Sequence, residues 1–126
     1  MTSLNKTILI VEDEAELLHI LEQGFKAAGF NVITARSGEE GIKFVEQKPD
    51  VILVDVVMPK MDGLTMLKKI RQNKEHQKIP AIVLSNLSDP QTTADALDAG
   101  AFDHLVKTEW EIPDLVNRVK EKIGVK

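Results

Sequence analysis

Short apolar runs rich in β-branched residues recur five times along the chain, at Thr7 to Val11, Asn31 to Ala35, Val51 to Val54, Ala81 to Leu84 and Phe102 to Val106. Each is bounded by turn residues, as buried strands are. Helical patterns fill the intervals. Leu17, Leu18, Leu21 and Phe25 are spaced as one helix face, and Gly29 is placed to end that helix. Further helices are predicted at about Gly38 to Gln47, Leu64 to Asn73, Gln91 to Ala99 and Pro113 to Ile123, with Asp89-Pro90 as N-cap and first helical residue of the fourth. Nearly continuous apolar strands separated by helices require a parallel sheet covered on both faces. Five right-handed βα units give a doubly wound α/β domain.

The length of 126 residues suits one domain spanning residues 1–126, with no room for a second of ordinary size, so no effector domain is expected. Sixteen basic against twenty acidic residues leave a net charge of −4, and 4% aromatic content adds few stacking rings, so a nucleic-acid partner is not expected. The one basic cluster, Lys68, Lys69, Arg71, Lys74 and Lys78, is interrupted by Glu75 and reads as a solvated face. Absence of cysteine excludes disulfides, thiolate metal sites and thiol nucleophiles and suits a reducing compartment. The apolar run Ile8 to Val11 is too short for a signal peptide or membrane span, so a cytoplasmic location without membrane association is expected.

In an open parallel sheet, ligands bind beyond the carboxyl ends of the strands, near the point where strand order reverses. Four of the five strands end in polar residues suited to such a site: Glu12 and Asp13, Asp55, Ser85, and Lys107. Singly, each has an ordinary explanation. Asp13 also suits a cap for a helix starting at Glu14, Ser85-Asn86 is turn chemistry, and an isolated lysine is commonly a surface residue. Asp55 is harder to explain in that way, because it interrupts VILVDVVMP and a buried carboxylate is costly unless paired or bound to a cation.

Taken together the residues point to chemistry. Two carboxylates about 4 Å apart at an effective dielectric near 20 repel by roughly 4 kcal/mol, which calls for a cation. An all-oxygen donor set suits Mg²⁺, with Mn²⁺ as a substitute, and scattered histidines at 19, 76 and 104 argue against zinc. A carboxylate can also attack phosphorus to give an acyl phosphate, leaving the protein to position groups and balance charge. Asp55 fits the nucleophile, Lys107 a second positive charge, and Ser85 a donor to a phosphoryl oxygen.

The sequence resembles the receiver domains of response regulators in bacterial two-component signalling, from about Lys6 to Ile123. The resemblance rests on ILIVEDE at 8–14, DVVMPKMDGL at 55–64, PAIVLS at 80–85 and AGAFDHLVK at 99–107, in order and at family spacing. It implies a flavodoxin-like sheet of order 2-1-3-4-5, as in the family's chemotaxis receiver. It also implies that Glu12, Asp13, Asp55 and the backbone carbonyl of Val57 bind the metal. Asp55 would take phosphate from a histidine kinase or phosphotransfer protein, with Lys107 and Ser85 contacting the phosphoryl group. The switch hydroxyl, Ser85, would then move inward and the residue at the family's aromatic position, His104 here, would follow. That change remodels the surface of the fourth helix, fifth strand and fifth helix for a downstream protein, in a monomer or a phosphorylation-dependent dimer.

Two positions depart from the family. His104 stands where an aromatic ring is usual, and a histidine there either titrates near neutral pH or is an ordinary residue at the surface edge. Thr108 follows Lys107 where a proline with a cis bond is usual, and a cis bond before a non-proline costs about 2.5–4 kcal/mol, so the loop carries that strain or reaches the site in trans. Trp110 reads as local packing. Val57 and Leu87, apolar and near the expected mouth, are candidates for slowing hydrolysis of the phosphoryl group.

Among rivals, a phosphatase of the haloacid dehalogenase type needs a second aspartate two positions after the nucleophile, where this chain has Val57. A flavodoxin-like nucleotide binder needs a phosphate loop rich in Ser, Thr and Gly, where this chain has Glu-Asp-Glu. A phosphorelay intermediate that passes the phosphoryl group on, and a constitutive scaffold with the receiver fold, complete the alternatives.

Overall fold

A computed structural model describes residues 4–86 and 90–125. Five parallel strands, β1 (Thr7–Val11), β2 (Asn31–Ala35), β3 (Val51–Asp55), β4 (Ala81–Ser85) and β5 (Asp103–Val106), form one sheet of order β2-β1-β3-β4-β5. Helices α1 (Ala15–Ala27), α2 (Gly38–Phe44), α3 (Gly63–Arg71), α4 (Pro90–Asp98) and α5 (Ile112–Lys122) connect and follow them. This is the expected doubly wound, flavodoxin-like arrangement, with the strand order the resemblance implied.

The alternation of side chains along each strand divides the core in two. Leu9, Val11, Ile52, Val54, Ala81 and Val83 pack with residues of α3 and α4. Their strand neighbours Ile8, Ile10, Val51, Leu53, Ile82 and Leu84 pack with α1 and α5, through Leu21, Phe25, Leu115 and Val119 among others. Both faces are covered, which is why the strands read as apolar runs and not as alternating patterns.

Most boundaries fall within a residue or two of their predicted positions, and the differences have local causes. Glu14, not Asp13, is the N-cap residue of α1, and its side chain makes no capping bond. Gly29 ends that turn with φ of 100°, and its N–H donates to Lys26 O at 3.0 Å. The second helix gives way after Phe44 to a 3₁₀ turn, Val45–Gln47, which is closed by Lys48 in the left-handed region. At Phe102 the strand has not yet begun: the residue is 47% exposed, although its N–H already donates to Ala81 O at 2.7 Å. α5 starts one residue early because Glu111 and Asp114 form a reciprocal capping box. The predicted Asp89 cap and Leu87 lie outside the described residues.

The lysines at 68, 69, 74 and 78 are exposed, as expected of a solvated face, but Arg71 is not part of that face. Its guanidinium is half-buried and donates to Gly100 O from Nε at 3.2 Å and Nη2 at 2.6 Å, and to His76 O from Nη1 at 2.6 Å. It also lies 6.0 Å from the centre of the Phe102 ring. One side chain thereby ties the end of α3 to the loop entering β5. Charged donors to carbonyls contribute more than neutral ones, so Arg71→Leu is expected to cost roughly 2–4 kcal/mol in urea unfolding with an unchanged slope. A loss below about 0.5 kcal/mol, the usual range for a surface substitution, would contradict this role.

Candidate functional site

The register of the sheet assembles the site. Val11 lies opposite Val54 in the β1–β3 pair, so the next residues, Glu12 and Asp55, leave the sheet side by side. Asp55 pairs with Leu84, and Ser85 with Val106, which brings Ser85 and then Lys107 to the same edge. Glu12, Asp55 and Ser85 are all buried, at 1%, 4% and 0% exposure, while Asp13 is half-buried.

One carboxylate oxygen from each of Glu12, Asp13 and Asp55 lies within 4.8 Å of the others. Lys107 reaches into this group: its Nζ is 3.0 Å from Asp55 Oδ2 and 3.3 Å from Glu12 Oε2. It does so with every described peptide bond trans, from the first position of a 3₁₀ turn, Lys107–Glu109. The loop therefore delivers the lysine without the cis bond usual in the family. Trp110, next in the chain, packs into the α1–α5 side of the core.

Burial pushes the Glu12 carboxyl up to about 7, from 4.5, and repulsion from Asp55 adds to the effect. Burial alone lowers the Lys107 ammonium, but hydrogen bonding and attraction to Asp55 and Glu12 outweigh it and leave the group above its ordinary value. The lysine is thus held charged.

The β3–α3 loop closes over the site by a close backbone approach. Asp62 caps α3 by accepting from Thr65 N at 2.8 Å, and Gly63 N–H donates to Val56 O at 2.9 Å. A Cβ at residue 63 would stand 2.1 Å from Asp55 O, so only glycine fits. Val57 is 64% exposed at the mouth, and its N–H reaches Asp55 Oδ1 at 3.4 Å.

Ser85 Oγ is 2.7 Å from His104 Nε2, and His104 Nδ1 is 2.9 Å from Thr93 Oγ1 on α4. The ring is therefore hydrogen-bonded through both of its nitrogens, which a plain residue at the surface edge would not require. His19 is exposed and His76, buried, lies against Glu46; neither belongs to the carboxylate group. Two participants were not legible in the sequence. Thr93 depends on how α4 packs against β5. Arg36, whose Nη2 donates to Asp13 O at 3.3 Å, comes from the turn after β2, which carried no site signal.

An all-oxygen cluster of this kind fits a hard divalent cation, and the neighbouring ammonium suits an anionic oxygen shared with it. No described helix is long and apolar enough to cross a membrane.

Known proteins share this sequence pattern and fold. The response regulator receiver domain family matches residues 8–120. The alkaline phosphatase synthesis transcriptional regulatory protein PhoP of Bacillus subtilis is 37% identical over 105 residues, 82% of this chain and 43% of PhoP. The transcriptional regulatory protein KdpE of Staphylococcus aureus is 38% identical over 114 residues, 90% of this chain and 48% of KdpE. The chain thus spans less than half the length of these relatives. A putative response regulator from Chloroflexus aurantiacus superposes with a TM-score of 0.86 at 34% identity, covering 94% of this chain and 98% of that one.

The raised Glu12 carboxyl predicts a pH dependence of stability in metal-free protein. A carboxyl lifted from 4.5 to about 7 favours the fold fully below pH 4.5 and loses that contribution as pH rises through 7. The loss is on the order of 3 kcal/mol. Melting temperatures in EDTA should therefore show Glu12→Gln gaining on wild type between pH 5 and 8. Parallel curves would show that Glu12 ionises without penalty.

Proposed function

Because this chain belongs to the response regulator receiver domain family of two-component systems, we propose that Asp55 is its phosphoacceptor in a metal-dependent reaction. The observation that carries this reading is the contact of Lys107 Nζ with Asp55 Oδ2 at 3.0 Å, beside a trio of carboxylates of which Glu12 and Asp55 are buried and Asp13 half-buried. Such a group has no evident structural purpose and a clear chemical one.

The donor is the phosphohistidine of a histidine kinase or phosphotransfer protein. An Asp55 carboxylate oxygen attacks phosphorus, the phosphorus–nitrogen bond breaks, and imidazole departs with the electron pair and takes up a proton. Lys107 then faces the phosphoryl oxygens and offsets their charge, and the Ser85 hydroxyl donates to one of them. Glu12, Asp13, Asp55 and the Val57 carbonyl would hold Mg²⁺ or Mn²⁺. Bound there, the ion supplies charge neutralisation to the phosphoryl oxygens and to the carboxylates that repel one another. Exposed Val57 at the mouth limits the approach of water, which lengthens the life of the acyl phosphate.

The product alters a protein-binding surface and not a substrate. Ser85 touches His104 on β5, and His104 touches α4, so a change at the phosphoryl group has a bonded route to the α4–β5–α5 surface. A downstream protein reading that surface is the output, and a phosphorylation-dependent dimer is the alternative use of it.

Incubation with Mg²⁺ and acetyl phosphate tests the assignment by intact mass. Wild type should gain one labile phosphoryl group, lost on chelation-independent hydrolysis at alkaline pH, and Asp55→Ala should gain none. Lys107→Met should label about a hundredfold more slowly, the usual cost of removing one transition-state donor. The same adduct on Asp55→Ala, or wild-type rates for Lys107→Met, would sink the proposal.

A further inference from the structure

Ser85, His104 and Thr93 form a continuous hydrogen-bonded chain from the site to α4. His104 lies opposite Val83 in the β4–β5 pair, and Val83 faces the α3–α4 side of the core, so strand alternation turns both Ser85 and His104 to that side. The ring meets Ser85 Oγ through Nε2 at 2.7 Å and Thr93 Oγ1 through Nδ1 at 2.9 Å. Both contacts are short enough to be full hydrogen bonds.

A neutral imidazole has one N–H and one bare nitrogen, and a hydroxyl has one hydrogen to donate. The two hydroxyls are therefore not independent. If Ser85 gives its hydrogen to a ligand oxygen, it can only accept from the ring, so Nε2 must carry the proton. Nδ1 is then bare and needs a donor, which Thr93 supplies. In the opposite arrangement Nδ1 carries the proton, Thr93 accepts, and the Ser85 hydrogen is committed to Nε2. That hydrogen is then withheld from any ligand.

We infer that Thr93 is a positioning residue for Ser85, acting through the tautomer of His104: by donating to Nδ1 it sets the proton on Nε2 and releases the Ser85 hydrogen for a phosphoryl oxygen. The inference rests on the proposed role of Ser85 and extends it to a helix outside the site. Coupling is reciprocal, so whatever holds α4 with the Thr93 hydroxyl turned toward the ring favours phosphorylation, and phosphorylation favours that placement of α4.

The test uses the full chain, ¹⁵N-labelled, at pH 8.5, above the ordinary imidazole range near 6.5. Beryllium fluoride with Mg²⁺ serves as the phosphoryl mimic, and long-range ¹H–¹⁵N correlation reads the His104 tautomer. Wild type should shift to the Nε2-protonated form with the mimic. Thr93 is exposed, so Thr93→Val leaves the fold intact. That variant should fail to fix a single tautomer and should label with acetyl phosphate about three- to tenfold more slowly, the worth of one hydrogen bond. Thr93→Ser should restore both, and in a Ser85→Ala background Thr93→Val should change nothing further. A mimic-bound Nδ1-protonated ring, wild-type labelling by Thr93→Val, or equal slowing in both backgrounds would overturn the relay while leaving Asp55 as phosphoacceptor. Absence of any mass adduct on wild type would overturn both.

Discussion

Three carboxylates that the sheet register forces within 4.8 Å of one another set the terms for the rest of the molecule. At that spacing and an effective dielectric near 20, each ionised pair repels by about 3 kcal/mol. One ammonium, that of Lys107, faces three carboxylates, and burial, with repulsion from Asp55 added, lifts the Glu12 carboxyl to about 7. The cluster is thus poised to take up positive charge. Under the proposed function, a divalent cation would relieve the repulsion, and a phosphoryl group would then have both the cation and the lysine as partners.

Holding that cluster requires a rigid frame, and the frame is built from ordinary parts. Two apolar faces clamp the central strands, so β1 and β3 cannot slide relative to each other without turning their side chains to the wrong layer. Gly63 permits the β3–α3 loop to lie against the Asp55 carbonyl, and Arg71 ties α3 to the entry of β5, the strand that delivers His104 and Lys107. Stability and site geometry are therefore the same problem at several positions.

Much of this was legible in the sequence because it depends on local pattern. Strand positions followed from apolar runs, and the polar residues that break those runs at their ends are the ones the fold brings together at one edge of the sheet. What stayed hidden depends on packing across elements. Arg71 sits among lysines in sequence, and only the fold separates it from them by turning its guanidinium onto the Gly100 and His76 carbonyls. Lys107 takes its trans path through a 3₁₀ turn at Lys107–Glu109, whose residues carry no strong turn signal. His104 was visible as a departure from the aromatic position, but its two hydroxyl partners come from β4 and α4, and no sequence spacing reveals that pairing.

The central claim is chemical: an acyl phosphate forms on the side chain of residue 55. Borohydride reduces an acyl phosphate, and not a phosphoserine, phosphothreonine or phosphohistidine, to the corresponding alcohol. Protein treated with acetyl phosphate and Mg²⁺, reduced with borohydride and sequenced by tandem mass spectrometry should contain homoserine at position 55 and unchanged aspartate and glutamate at 12, 13 and 62. Aspartate intact at 55, or the reduced residue elsewhere, would contradict the account.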